Sequence, residues 1–413
     1  MRPFYGWWIV GVAALVAFAS GPGQSYGFSV FIDPLIEDTG FSRTEISALY
    51  AVGTGLSAFM VFLVGRLADR YGARVMLLVA AGGLGFACFG MAFAAGPIAF
   101  FFAFAALRAL GQGSMPVNGT LLVAQWFVRY RGRAMAIMGI GGAVSNAVFP
   151  PVSQQLIELV GWRETYMILG VFVWVLILPL AIFVVRNRPE DRGELPDGAD
   201  ELPDAEIREA QAGTAPASAG ALRTVFFWVT ALSLAVPSLV TTAYVFHQIS
   251  ILTSFGLSPG MAAGVFVPFA ATATIASFIG GYLVDRFNPI HVFTVNMGLL
   301  VIATLVLVLV TNPVLGFAYA GLLGLFQGIQ QVISNTTWAY FYGRRGLGKV
   351  QGAGQMTGIA ASAIGPLPLA ALHGVFDDFV PAILILGVLP VIAAFAVQLV
   401  KKEPYGASAA ESG

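Results

Sequence analysis

The chain has 413 residues, of which 58% are hydrophobic and only 10% are charged, and its 21 basic residues balance its 21 acidic residues. Because charged residues make up about a quarter of an ordinary soluble domain, this composition excludes a typical soluble enzyme. Because basic residues do not outnumber acidic residues, the composition also excludes a protein that binds nucleic acid through a strongly basic surface. Many apolar runs reach the roughly 20 residues that a helix needs to cross a bilayer, so the sequence predicts a membrane protein with several spans.

Segmentation of the apolar runs in chain order predicts twelve membrane-spanning helices. The first six begin near Gly6, Ile46, Val75, Pro97, Arg133 and Glu164. The other six begin near Thr224, Gly260, His291, Pro313, Val350 and Phe379. Residues 186–223 between the two sets are rich in Pro, Gly, Ala, Asp and Glu and cannot bury enough apolar surface to order themselves strongly. We therefore expect a six-helix bundle over residues 1–185, a solvated cytoplasmic linker over 186–223, a second bundle over 224–400 and a disordered tail over 401–413.

The placement of the basic residues predicts the orientation of these spans. With the N-terminus inside, eighteen Lys and Arg residues fall on the cytoplasmic side, whereas only Arg43 and Arg163 fall outside and Arg108 lies within a span. Basic residues near span ends resist translocation. We therefore expect both termini to be cytoplasmic, in a bacterial-type inner (plasma) membrane.

Short motifs recur in the two predicted halves at nearly constant spacing. The segment 65–71 (GRLADRY) recurs as 281–287 (GYLVDRF), an offset of 216 residues, and Gln112–Gly113 recurs as Gln327–Gly328. Several ordered matches of this kind indicate an internal duplication. Because each six-span half has the same orientation, the repeats are parallel and related by an axis along the membrane normal. The predicted fold is all-α, with two six-helix bundles.

Several of these motifs resemble those of the major facilitator superfamily, and the resemblance covers essentially the whole chain. The segment 65–74 (GRLADRYGAR) looks like the most diagnostic motif of that family, and Arg108 with Gly111–Gly113 is similar to its fourth-span motif, with slightly shifted spacing. The segments 5–8 (YGWW) and 188–191 (RPED) look like the monocarboxylate and oxalate:formate porter branch. The resemblance implies a secondary transporter that works by alternating access.

The loop motif is expected to act as a conformational latch. Asp69 would sit at the cytoplasmic ends of spans 2 and 3, and span 11 begins on that side near Val350, where a helix N-terminus carries partial positive charge. The alternative interpretation is that these charges only set the topology. The expected latch residues are Gly65, Asp69, Arg70, Gly72 and Arg74, with Asp285 and Arg286 in the second half.

The spans contain almost no ionisable groups. All 21 carboxylates can be placed outside the hydrocarbon region, which disfavours a cationic substrate. Arg108 is the one charge near the midplane, where it would attract an anion or couple proton movement. The alternative is a structural arginine held by backbone carbonyls and Gln112.

His247 is the only histidine placed inside a span, and its imidazole could bind or relay a proton near neutral pH. The alternative is a hydrogen-bonded packing residue. The segment 21–23 (GPG) is expected to interrupt span 1, just before Gln24 and Tyr26. Polar side chains there and in other spans could line a central cavity, although interhelical hydrogen bonds explain each of them equally well. The remaining candidate substrate-binding residues are Gln24, Tyr26, Gln112, Asn118, Asn146, Gln327, Gln331, Asn335 and Trp338.

Span 8 departs from the resembled branch, whose members typically carry an arginine there that pairs with the substrate carboxylate. This span offers only Thr272, Thr274 and Ser277 as hydroxyl-bearing candidates. Anion recognition then falls to Arg108, His247 and neutral donors, or the substrate is not a simple carboxylate.

The expected function is transport of a small organic solute, best matched by an organic acid anion of the monocarboxylate type, by proton symport or exchange. The alternatives are a carrier of a neutral or lipophilic solute and a non-transporting membrane sensor with this fold. No nucleophile–base pair, metal-ligand cluster or nucleotide motif occurs in the sequence, so we expect no enzyme activity, metal or cofactor. The expected partners are the lipid bilayer, the solute and a proton, and we expect a monomer.

Overall fold

The computed structural model describes residues 4–127, 130–198, 221–342 and 347–400, without the side chains of residues 57–66, 68–69, 131–132, 339 and 347–349. These residues form helices and connecting turns, and no strand occurs among them. The chain divides into two units, Met1–Gly213 and Thr214–Gly413, which we call unit 1 and unit 2.

Ten helices in the described part of the chain are long and apolar enough, by length and composition, to cross a membrane. Two further helical segments, residues 6–29 and Arg43–Tyr71, occupy the places of predicted spans 1 and 2. Each unit therefore contains six long helical segments in the predicted order. This confirms the predicted fold class, an all-helical membrane protein with twelve spans.

Span 1 is interrupted where the sequence predicts it. An apolar helix, Gly6–Ala19, ends at a short 3₁₀ turn, Gly21–Gly23, and a second helix covers Ser25–Ser29. Pro22 has no backbone N–H to donate, and its ring prevents a regular α-helical hydrogen bond to the preceding turn. The break therefore leaves backbone groups inside unit 1 that need other partners.

The other spans of unit 1 are continuous except for one irregular stretch in span 4. Span 4 covers Gly96–Trp126 and contains a π-helical segment, Arg108–Ser114, between two α-helical halves. The remaining helices of unit 1 are span 2 (Arg43–Tyr71), span 3 (Ala73–Ala92), span 5 (Arg131–Val160), span 6 (Trp162–Phe183) and the short helix Ile32–Thr39.

Residues 186–198 of the predicted linker belong to unit 1 and contact Tyr5, which precedes span 1. The Tyr5 hydroxyl donates to the Val184 carbonyl at 2.8 Å, and the Tyr5 amide donates to the Glu194 carboxylate at 3.3 Å. The Arg192 guanidinium lies 4.0 Å from the centroid of the Tyr5 ring. These contacts join Tyr5 of the YGWW segment to the end of span 6 and to residues that directly follow the RPED segment.

Spans 7, 8, 9 and 12, four of the six spans in unit 2, begin at a residue whose side chain caps the helix. The side-chain oxygens of Thr224, Ser258, Asn288 and Asp378 each accept a backbone N–H from the helix that follows. The helices are span 7 (Val225–Ser254), span 8 (Pro259–Arg286), span 9 (Pro289–Val308), span 10 (Pro313–Tyr342), span 11 (Leu347–Ile364 and Pro366–Phe376) and span 12 (Phe379–Gln398).

Candidate functional site

The break in span 1 lies directly against the π-helical segment of span 4. A Cβ added to Gly23 would stand 2.3 Å from the Leu107 carbonyl oxygen and 2.6 Å from the Gly111 Cα. A Cβ added to Gly111 would stand 2.6 Å from the Gly23 Cα. No side chain fits at either position, so two glycines bring the backbones of these spans into contact. Two irregular helical segments thus meet at one point of unit 1, a type of geometry that is frequent at functional sites.

Arg108 begins the π-helical segment, and its side chain is completely buried, with 0% exposure. Its Nη1 donates to the Gly23 carbonyl at 2.8 Å, and its Nε donates to the Thr54 hydroxyl at 2.9 Å. The guanidinium carbon lies 4.6 Å from the centroid of the Tyr50 ring. The Tyr50 hydroxyl in turn shares a hydrogen bond of 2.7 Å with Ser25. The backbone carbonyl at the span 1 break is therefore one of the groups that hold the guanidinium in place.

The positive charge of Arg108 has no counter-ion within the described part of the chain. Its partners there are a carbonyl, a hydroxyl and an aromatic ring, and its Nη2 donates no hydrogen bond to the described residues. The ion pairs Arg43–Asp33 and Arg163–Asp38, both 2.7 Å long, involve the arginines that we predict to be external. Arginine stays charged in proteins, so unit 1 holds a buried cation whose Nη2 makes no hydrogen bond to the described residues.

Three buried amide oxygens in unit 1 also lack a donor within the described residues: Gln112 Oε1, Asn118 Oδ1 and Asn146 Oδ1. The Asn118 amide nitrogen donates to the Ser114 carbonyl at 2.9 Å, which fixes the orientation of that amide. Gln112 and Asn118 lie on span 4 and Asn146 on span 5, and both spans pack against span 1. The region around span 1 therefore combines one cationic donor with three neutral acceptors.

Gln24 and Tyr26, predicted beside the span 1 break, make hydrogen bonds within unit 1. The Gln24 amide nitrogen donates to Ser20 at 3.1 Å, and the Tyr26 hydroxyl donates to Ser145 at 2.8 Å. The Ser145 hydroxyl donates to the Phe18 carbonyl at 2.7 Å. Ser145 of span 5 is therefore hydrogen-bonded to a residue before the break and to a residue after it. These residues hold the shape of the broken span.

His247 lies in span 7 of unit 2 and is also completely buried. Its Nε2 is 3.1 Å from the Pro366 carbonyl oxygen, at the start of the second helix of span 11. Because a carbonyl only accepts, Nε2 carries the hydrogen in this contact. The structure thus places the imidazole at a helix–helix contact inside unit 2, and Arg108 in unit 1.

The predicted site residues of span 10 divide between its surface and the core of unit 2. Gln327, Gln331 and Asn335 recur every four residues along one face, and the last two are exposed in unit 2. Trp338 is buried instead, with its ring centroid 4.9 Å from that of Phe227. The structure therefore places Trp338 among packing residues and keeps the three amides together on one stripe.

Two residues of the Arg108 environment, Tyr50 and Thr54, are absent from the sequence prediction. They stand one helical turn apart on span 2. Their hydroxyl groups within an apolar run are the sequence feature that could have identified them. A second missed group lies in unit 2, where the Asn296 amide nitrogen donates to Gln330 Oε1 at 3.2 Å. The Asn296 oxygen accepts no hydrogen bond within the described residues.

The loop motif makes its described contacts within unit 1. Arg74 donates through Nε to the Ala181 carbonyl at 3.1 Å and through Nη2 to the Ile182 carbonyl, so it caps the end of span 6. The Arg70 and Arg286 guanidiniums lie 5.2 and 4.4 Å from the ring centroids of tyrosines on their own spans, and Asp285 is exposed. The side chain of Asp69 and the surroundings of Gly65 lie outside the described residues. The latch stays a prediction.

Comparison with known proteins gives matches over most of the chain. A family model described as the Major Facilitator Superfamily matches residues 9–366 and 242–413. The chain is 28% identical over 187 residues to the riboflavin transporter RibJ of Trypanosoma cruzi (strain CL Brener), a match that covers 44% of this chain and 39% of that protein. It is 32% identical over 140 residues to the "Probable L-galactonate transporter" of Escherichia coli (strain K12), covering 33% of this chain and 30% of that one. The chain thus spans well under half the length of these curated relatives.

Among solved structures, a bacterial homolog of the human lysosomal transporter Spinster, in an inward-facing and unoccupied conformation, matches with a TM-score of 0.78. The match covers 97% of both chains at 16% identity, which shows a shared fold. The likeness to the monocarboxylate and oxalate:formate porter branch stays a prediction. Because the family model covers most of the sequence and the fold agrees with it, the chain belongs to the Major Facilitator Superfamily and is a multi-pass membrane protein.

Proposed function

We propose that the protein is a secondary transporter that carries a small organic acid anion across the membrane by alternating access. The observation that carries this proposal is the fully buried guanidinium of Arg108, with neutral partners and one open nitrogen among the described residues. A buried charge without a counter-ion is costly in a bilayer. A substrate carboxylate entering the site would supply both the counter-charge and the missing acceptor, and superfamily membership supports transport as the activity.

The amide oxygens of unit 1 narrow the proposed substrate to a monocarboxylate that also carries hydroxyl groups. A buried acceptor left unpaired costs about 1–3 kcal/mol, and a solute hydroxyl would remove that cost. Gln112, Asn118 and Asn146 each offer such an oxygen. The relative named for L-galactonate is named for a solute of this chemical class, which supports the proposal without identifying the substrate of this chain.

The proposed substrate requires a coupling partner if transport is inward. A monovalent anion entering a cell with a negative interior works against about 2.3 kcal/mol per 100 mV of membrane potential. A proton carried with the anion cancels its charge, and exchange for an internal anion has the same effect. Proton symport and anion exchange are therefore the two modes of coupling that we propose.

The test is uptake by the full chain in proteoliposomes under imposed pH and voltage gradients. The probes are radiolabelled lactate, gluconate and galactonate, with the neutral polyol galactitol as the comparison. We expect saturable uptake of at least one acid and about a hundredfold preference over the polyol, because the polyol leaves Arg108 without a counter-ion. Equal uptake of the polyol, or saturable binding of acids with no flux, would contradict the proposal.

A second candidate is a carrier of a neutral hydroxylated solute. It is favoured by the same three amide oxygens, which are uncharged acceptors, and by the relative named as a riboflavin transporter. In this case uptake would be independent of membrane potential, and Arg108 would serve only as a donor to a hydroxyl or carbonyl of the solute. The comparison of galactonate with galactitol separates the two candidates.

His247→Gln tests whether the imidazole takes part in proton coupling. Glutamine keeps an N–H that donates to the Pro366 carbonyl, so the helix contact is preserved while the titratable group is lost. We expect wild-type uptake to rise as external pH falls through the range where histidine titrates, and the variant to lose most of this dependence. The measurement is initial uptake rate against external pH.

His291→Gln is the matched control, because His291 is exposed at the start of span 9 and outside the contact made by His247. Its pH profile should follow that of the wild type. A His247→Gln profile that also follows the wild type would remove the histidine from proton coupling and leave it a packing role.

A further inference from the structure

A cavity of about 470 Å³ lies at the end of unit 1 that the basic residues predict to be cytoplasmic. Its walls come from residues 70–73 between spans 2 and 3, from the last turns of span 4 and from residues 187–191 after span 6. The volume falls in the range of small-molecule sites, roughly 300–1,000 Å³. The cavity shares no lining residue with the Arg108 site, although Arg70 and Gly72 also belong to the predicted latch. Neither the proposed substrate site nor that latch assigns a ligand to it.

The lining of this cavity is positively charged. Arg70 and Arg188 both line it, and neither forms an ion pair with a carboxylate in the part of the chain that the structure describes. Asp191 is the one acidic residue of the lining, and its carboxylate already accepts the backbone N–H of Arg188 at 3.2 Å. Two guanidiniums against one engaged carboxylate leave a net charge of about +1 on the walls.

A neutral donor completes the lining. The Asn187 side-chain oxygen accepts the Arg74 N–H at 2.9 Å, and its amide nitrogen donates no hydrogen bond within the described residues. Gly72 has a φ of +84°, and a Cβ there would stand 2.5 Å from that amide nitrogen. Only glycine lets the loop between spans 2 and 3 approach Asn187 so closely, so the backbone fixes this donor on the wall of the cavity.

We propose that this cavity binds an oxyanion of the phosphate class. Guanidinium groups bind phosphate oxygens through paired, charge-assisted hydrogen bonds, and an amide N–H beside them adds a further donor. The phosphate belongs either to the headgroup of an anionic lipid or to a soluble phosphate ester, which share this chemistry. Bound there, the ligand bridges the loop motif and residues 187–191, two segments that hold the ends of spans 2, 4 and 6.

The experiment measures binding to the full chain purified in an uncharged detergent, with no transport readout. One arm titrates inorganic phosphate and glycerol 3-phosphate by calorimetry, against chloride at equal ionic strength. The other arm titrates phosphatidylglycerol by native mass spectrometry, against phosphate-free diacylglycerol. We expect saturable binding in at least one arm, and the arm that binds more tightly identifies the source of the phosphate.

Arg70→Gln and Arg188→Gln should each weaken that binding about tenfold, and the double variant should weaken it further. Asp191→Asn should strengthen it a few-fold, because it removes the only negative charge of the lining. The matched control is Arg192→Gln, which removes a neighbouring charge that stacks on Tyr5 outside the cavity. Unliganded melting temperatures report folding of each variant. No binding in either arm, or equal binding by the wild type and the folded double variant, would overturn the proposal and leave the transport function untouched.

Discussion

Arg108→Gln should reduce uptake of the organic acid about a hundredfold while leaving the protein folded. Glutamine retains an N–H for the Gly23 carbonyl but removes the buried charge that a substrate carboxylate would neutralise. Removing a buried charge that has no counter-ion also removes the desolvation cost of that charge. We therefore expect an unchanged or raised melting temperature together with lost flux, measured by fluorescence-detected unfolding and by uptake in proteoliposomes.

Melting temperature and uptake together distinguish a substrate-binding role of Arg108 from a purely structural role. If Arg108 only held the helices together, its loss would lower the melting temperature, and flux would fall in proportion to the folded fraction. Arg286→Gln is the matched control, since that arginine is exposed and lies over Tyr282 on its own span. Arg108→Lys should retain part of the activity, because an ammonium keeps the charge but loses the planar fork. Full uptake by folded Arg108→Gln would refute the anion assignment.

The sequence predicts the fold of this chain better than it predicts the site. The spans are predictable because an apolar run of about 20 residues has one stable state in a bilayer. That state is a helix whose backbone groups hydrogen-bond to one another. The break at Gly21–Gly23 is also predictable from the sequence, because a Pro between two glycines ends a helix locally. Burial of Arg108 followed from its position in an otherwise apolar run.

The partners of Arg108 were not predictable from one sequence. The Gly23 carbonyl lies 85 residues away along the chain and Thr54 lies 54 away, and only the packing of spans 1, 2 and 4 brings them together. The sequence does contain one sign of the π-helical segment. The fourth-span motif, whose spacing is slightly shifted, lies within Arg108–Ser114. A π turn takes an extra residue, which offers a physical reason for that shift.

Composition does not predict the contacts that residues 186–198 make within unit 1. A run of Arg, Pro, Asp and Glu predicts solvated chain because it buries little apolar surface. Here the charged side chains meet particular donors: Glu194 accepts the Tyr5 N–H and Asp197 accepts the Tyr130 N–H at 3.1 Å. Contacts of this kind depend on where the span ends lie, which composition does not encode.

Gly111→Ala should be among the most damaging single substitutions in unit 1. The new Cβ would stand 2.6 Å from the Gly23 Cα, and backbone atoms on both sides of the contact cannot rotate away as a side chain would. Overpacking of a buried contact typically costs about 1–3 kcal/mol, and here the neighbour is backbone. The shift would also draw the Gly23 carbonyl away from Arg108. We expect a lower melting temperature, less folded protein and loss of acid uptake by the folded fraction.

Gly90→Ala in span 3 is the matched control, because a Cβ there meets open space and alanine favours a helix by up to about 1 kcal/mol over glycine. It should keep or raise the melting temperature. Gly23→Ala should resemble Gly111→Ala, and the double variant should lose less stability than the sum, since the first methyl already separates the two backbones. Additive losses of stability would mean that the two glycines act at separate contacts. A stable, active Gly111→Ala protein would show that spans 1 and 4 do not need this close approach.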